Sequence, residues 1–337
     1  MMRYSLIITA VLVTFGFVFV SCSDDDEDYL GNWIELSTFE GTPRTEAVCF
    51  TINDDAYIGT GYDIENKDRL NDFFVYDANK DSWTQIADFP GVARNGAVAF
   101  ASDKKGYCGT GYDGSDKLQD FYEYDPEANV WTQKADFAGT ARYGAIAFYA
   151  NGKGYVGTGY DSGNVAVRDF YQYDSESDVW EKKASVKGTS RRDAMCFVIN
   201  NEGYVLSGLS NGGYLDDFYK YDADSDEWTA LNRLSDYTDD SFDDDYTMAR
   251  YKGSTFVMGG LAYLTAGIQS SNSVETWEYN PSSDRWTQKT DFEGAGRNGA
   301  VGFTVNGQGY IATGGNGSYS FNDLYIFKPY DEYDSAD

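Results

Sequence analysis

Short apolar and aromatic runs, separated by Gly-, Asp- and Asn-rich punctuation, recur down this chain with a period near 50 residues. Four runs can be told apart within each period. The first is apolar, as in residues 96–100 (GAVAF), and the second is Gly-aromatic, as in residues 154–159 (GYVGTG). The third reads D-F-Y-x-Y-D, with aromatics alternating at Tyr122/Tyr124 and Tyr171/Tyr173. The fourth carries a Trp. Period-2 alternation in short runs bounded by turn residues predicts strands. The tight links between them predict antiparallel pairing, so each period is read as a small four-stranded sheet. No capped helical stretch stands out.

The repeat is explicit in single residues. Trp33, Trp83, Trp131, Trp180, Trp228 and Trp286 are spaced by 50, 48, 49, 48 and 58 residues. An Arg opens each repeat (Arg44, Arg94, Arg142, Arg191, Arg297), followed by Ala at the third position and Phe at the sixth. The last repeat, residues 297–328, has three strands and no Trp, whereas Trp33 has a fourth strand and nothing before it. Joined, the two halves make one blade. The fold expected is therefore all-β: a six-bladed propeller whose N-terminal strand completes the last blade and removes a free edge.

The R-x-x-A…G-x-G-Y-D…Y-D-x-x-x-x-x-W array over residues 33–328 resembles the kelch repeat family. The family's Gly-Gly doublet is mostly G-T-G here, with doublets at Gly259-Gly260 and Gly314-Gly315. The string Gly109-Thr-Gly111-Tyr-Asp-Gly114 spells a dinucleotide fingerprint, but a strand rather than a helix is predicted after it, and it recurs as a blade turn.

Charge and composition narrow the functions. The net charge is −29, which excludes a phosphate-backbone partner and therefore nucleic acid. There is no histidine, which removes Ser-His-Asp and Cys-His catalysis and His-ligated zinc or copper. Residues 1–21 read as a signal peptide: Arg3 leads an apolar run that ends at Ser21-Cys22. This end resembles a bacterial lipobox, with Phe19 where Leu is usual, and implies lipidation of Cys22 and attachment to a membrane. Residues 22–32 would be an acidic tether, and the resemblance of that tether to surface-display segments implies an outer-membrane lipoprotein at the cell surface, with periplasm-facing anchorage as the alternative. Residues 329–337 read as an acidic tail, and a monomer is expected. Cys49, Cys108 and Cys196 fall in different blades and are expected as free thiols.

Antiparallel order puts the start of the first strand and the end of the second on one rim, and the Asp-rich links between third and fourth strands on the other. In kelch proteins that recognise acidic peptides, the repeat Arg and the Tyr of G-Y-D line the central pocket. That resemblance implies a mouth made by Arg44, Arg94, Arg142, Arg191 and Arg297 with Tyr62, Tyr112 and Tyr160. The competing reading pairs each Arg with the third-strand acid of its own blade (Asp72, Asp120, Asp169, Asp217, Asp323). Alignment back from Phe256 assigns Asp243 to the Arg position of blade five, opposite Glu275, so that blade is expected to lack the pair. Symmetry breaks after the G-x-G: Tyr62-Asp63, Tyr112-Asp113 and Tyr160-Asp161 in blades one to three give way to Ser210-Asn211, Leu261-Ala262-Tyr263 and Asn316-Gly317. Tyrosine platforms beside carboxylates suit sugar rings, so these Tyr and Asp residues and Tyr263 are candidate ligand contacts. Blade five also carries an insertion with Asp239, Asp240, Asp243, Asp244 and Asp245, an acidic loop that either is solvated or holds Ca²⁺; no other cofactor is implied.

These features predict a propeller that binds a glycan or a protein partner without catalysis. One alternative is a sugar-processing enzyme: a sialic-acid mutarotase resembles this chain in being an exported six-bladed kelch protein. The other is a scaffold subunit of an outer-membrane assembly.

Overall fold

The computed structural model describes residues 30–235 and 246–334. The signal segment, Cys22 and the blade-five acidic run therefore lie outside the described residues. Six four-stranded antiparallel sheets are arranged as blades, each in the order first–second–third–fourth strand. Blade one is built from Val48–Ile52, Asp55–Gly59, Phe73–Asp77 and Ser82–Gln85. Blade six combines Val301–Val305, Gln308–Ala312 and Leu324–Lys328 with the N-terminal strand Asn32–Glu35, which pairs Trp33 with Phe327. The expected closure is present.

The strand patterns follow from where each strand sits. In Ile146–Ala150 the buried residues Ile146, Phe148 and Ala150 face blade four and alternate with half-buried Ala147 and Tyr149, which pack against the cluster shared with blade two. The second strand is buried on both faces because neighbouring blades sandwich it. That contact explains the glycine opening the second run: a Cβ on Gly154 would lie 2.1 Å from the Phe100 ring of the preceding blade. Six buried clusters fill the six blade interfaces, each mixing aromatics of two neighbours, as Phe148, Tyr155 and Phe170 meet Tyr221 and Trp228.

The Asp-rich links latch blade to blade. Asp178 adopts φ 56°, a left-handed conformation that Asp and Asn tolerate better than most residues. Its Oδ1 accepts from the Tyr173 hydroxyl at 2.7 Å and from the Ala135 amide of the previous blade at 2.9 Å. Asp81, Asn129, Asp226 and Asp284 do the same work in their blades. Asp222, which opens the link between third and fourth strands in blade four, closes its own turn by accepting from the amides of Asp224 and Ser225.

Cys49, Cys108 and Cys196 are free thiols. Burial pushes the Cys108 and Cys196 thiols up to about 12, far from a reactive thiolate.

Candidate functional site

The repeat arginines belong to the scaffold. Arg44, Arg94, Arg142, Arg191 and Arg297 are fully buried, and each guanidinium grips the third-strand Asp of its own blade with two nitrogens. Arg94 donates to Asp120 at 2.5 and 2.8 Å, and to the carbonyls of Thr110 and Val92 at 2.8 Å each. Its guanidinium also packs over Phe89 at 4.7 Å. These five arginines therefore do not line an open mouth. Blade five keeps the pair, contrary to the expectation of its loss. Arg250, six residues before Phe256, is fully buried and donates to Glu275 at 2.7 Å.

The same shift in register corrects Tyr263. It is a second-strand core residue, stacked on Phe256 at 5.3 Å with its hydroxyl donating to Glu278 at 2.7 Å. It is the counterpart of Tyr57 and Tyr107, and not of Tyr62. Gly259-Gly260 is the turn between first and second strands. Ile268 occupies the Tyr62 position in blade five, bridging Tyr251 as Tyr62 bridges Thr45. Leu209 and Gly315 hold that position in blades four and six, one residue before the sequence alignment put it.

Tyr62, Tyr112 and Tyr160 do share one rim, but their faces are partly occupied from within. Arg69 lies between Tyr62 (5.1 Å) and Tyr112 (4.8 Å). Tyr143 continues the belt from Tyr112 (5.6 Å) to Tyr160 (5.8 Å). Lys117 and Arg192 sit over Tyr160 at 4.9 and 5.4 Å. Such cation–aromatic contacts order the belt. The Asp partners turn inward. Asp63 Oδ1 accepts from the amides of Glu65 and Asn66, Asp113 Oδ1 from Ser115 and Asp116, and Asp161 Oδ1 from Gly163 and Val165. The two backbone bonds hold the Asp113 carboxyl below its ordinary range. All three aspartates close their own turns, a role common to Asp in this position.

Inside the belt lies a second ring that sequence reasoning passed over. The residues two beyond each Arg are Glu46, Gly96, Gly144, Asp193, Lys252 and Gly299. Each donates its backbone N–H to the carbonyl of its neighbour in the preceding blade, closing a circle of six bonds of 2.7–3.1 Å around the axis. All six have φ between 53° and 61°. The glycines clear space for the charged side chains: a Cβ on Gly144 would lie 2.4 Å from Asp193 Oδ1. Lys252 is paired with Glu46, Asn95 donates to Glu46 at 2.6 Å, and Arg192 donates to Asp193 at 2.5 Å. Burial alone would raise the Glu46 carboxyl. The Lys252 ammonium and the bonds from Lys252 and Asn95 bring it below its usual range instead. Asp193 goes the other way, raised by burial and the nearby Glu46 charge against the pull of Lys252 and Arg192. Variation at these positions among otherwise regular repeats was the available signal.

A cleft of about 600 Å³ opens on this rim between blades three and four. Its walls are Tyr143, Tyr160 and Arg192, with Ser190, Ser210 and Asn211 supplying hydroxyls and an amide.

Six blades closed by the N-terminal strand, with buried Arg–acid pairs and Trp-bearing fourth strands, define a six-bladed β-propeller. Among solved structures, one described as the structure of YjhT matches with a TM-score of 0.72 at 17% identity, over 86% of this chain and 96% of that one. At that identity the likeness is one of fold. No protein-family model matches the chain, and no curated protein matches it.

Proposed function

We propose that this protein binds glycans in the cleft between blades three and four without altering them, and that lipid on Cys22 holds it at the outer membrane, at the cell surface. The cleft carries the reading. It combines half-buried Tyr143 and Tyr160 with short hydroxyl and amide side chains in a volume suited to a few sugar units. Sugar C–H faces stack on aromatic rings while hydroxyls exchange hydrogen bonds with such polar groups. Tyr160→Ala is expected to weaken glycan binding roughly fivefold to tenfold, about 1 kcal/mol for one stacked ring. Asp125→Ala, on the opposite face, is the control. A glycan array followed by calorimetry on the binders checks this, and equal losses for both variants would remove the site from this rim.

The direction of the chain supports an outward-facing site. Asn32 opens the fourth strand of blade six opposite Lys328, at the end of the third strand and so on the face away from the tyrosine belt. A tether from Cys22 would enter there and leave the cleft pointing away from the membrane. Cys22→Ser is expected to abolish incorporation of labelled palmitate; equal labelling of variant and wild type would refute the lipid anchor.

The axial ring favours a second reading, an enzyme of the mutarotase kind. The backbone ring brings the Glu46 and Asp193 carboxyls to one axis, Glu46 lowered by Lys252 and Asp193 raised by burial, a difference of the kind an acid–base pair uses. Accelerated anomer exchange of sialic acid, followed by NMR with purified protein, would establish it in place of binding alone.

A further inference from the structure

We propose that the cleft between blades three and four selects glycans that carry an anionic oxygen group, a carboxylate or a sulfate ester, and that Arg192 reads this group. The inference rests on the glycan-binding reading above and adds the class of sugar. Arg192 is unlike the six arginines that open the repeats. Those are fully buried, whereas the Arg192 side chain is 26% exposed and lines the cleft. Its Nη1 donates to Asp193 Oδ2 at 2.5 Å, while its Nε and Nη2 make no hydrogen bond among the described residues. The guanidinium lies over the Tyr160 ring at 5.4 Å.

One corner of the fork is therefore anchored, its position is set by an aromatic ring, and its remaining N–H donors are open. Two parallel N–H donors match two oxygens of a carboxylate or sulfate, and an anchored side chain loses little freedom in binding them. The anchor is itself fixed. The Asp193 amide donates to Gly144 at 2.7 Å and its carbonyl accepts from Lys252 at 2.9 Å within the axial ring.

The charge distribution points the same way. The chain has 55 acidic residues, yet among the described residues no carboxylate lines this cleft, and Arg192 is the one charged wall residue among them. Lys117 adds a second cation beside it, over Tyr160 and bonded to the lining residue Asn164 at 2.5 Å. In a protein of net charge −29 an anion site has to be made locally.

Calorimetry with matched oligosaccharides tests the proposal: glucuronate-terminated against glucose-terminated, and 6-sulfated against unsulfated galactose-terminated. The charged member of at least one pair is expected to bind on the order of tenfold tighter, and the pair that discriminates identifies the anion. Arg192→Gln should bring that ratio close to one. Arg192→Lys should keep part of it, because an ammonium retains charge without the fork. Asp193→Asn, acting on Arg192 as a positioning residue, should lower the ratio by a smaller factor. Melting temperatures establish that each variant is folded; should Arg192→Gln fail to fold, Arg192→Lys decides, and undiminished discrimination with lysine overturns the assignment to the fork. Equal binding of neutral and charged members, both weakened in Tyr160→Ala, overturns the anion inference and leaves glycan binding standing. Failure of every member to bind overturns both.

Discussion

Asp120→Ala is expected to destabilise the folded protein by about 3 kcal/mol, because it strands a buried cation. Arg94 has no exposed surface, and its shortest contact, 2.5 Å, and a second at 2.8 Å are to this one carboxylate. The Thr110 and Val92 carbonyls would remain but cannot neutralise the charge. Losing one partner of a buried pair costs roughly 3–5 kcal/mol. The lower end is appropriate because the Asp120 side chain is 24% exposed, so water can reach that edge of the guanidinium. Asp120→Asn should fall between the two, keeping an acceptor and losing the charge. Urea unfolding followed by tryptophan fluorescence measures the effect. A loss below about 1 kcal/mol, the scale of exposed pairs, would mean that Arg94 is not structural and would reopen its role as a ligand contact.

Trp33→Ala should cost about 3–5 kcal/mol, as for other large-to-small changes of a fully buried aromatic. Trp33 has no exposed surface and packs against Phe327, Phe292 and Phe256 at 4.5, 5.1 and 6.1 Å. Deleting the strand should be worse than deleting the ring. A chain starting at residue 42 would leave Leu324–Lys328 as an unpaired edge beside an emptied aromatic cluster. Such an edge invites association with other chains. Thermal melting with size-exclusion chromatography separates the outcomes: a lower melting temperature for Trp33→Ala, and oligomers or aggregate for the shortened chain. A shortened chain that stays monomeric and melts like the full protein would show that the closure contributes little.

The difference between blade five and the other blades shows how far local reading reaches. The repeat there is intact, with Arg250 six residues before Phe256, as Arg44 is before Phe50. The insertion before it obscured that spacing, and both the Arg position and the G-x-G position slid with it. Tyr263 follows Phe256 by seven positions, as Tyr57 follows Phe50, and this spacing makes it a core residue rather than a rim residue. The paired Arg–acid reading held in the other five blades because each pair lies within one repeat, 26–28 residues apart.

By itself the sequence determined the strand order, the six-blade count, the closure through Trp33 and the free thiols. These depend on period-2 patterning and on spacings inside one repeat, which are local and written in consecutive residues. Only the tertiary structure decided which rim residues are free to meet a ligand. Whether Tyr112 offers an open face depends on Arg69 of the previous blade, and whether Arg192 has open donors depends on Asp193 and on the glycine at position 144. Glu46, Asp193 and Lys252 stand more than fifty residues apart and meet only because closing the ring brings the same position of every blade to one axis.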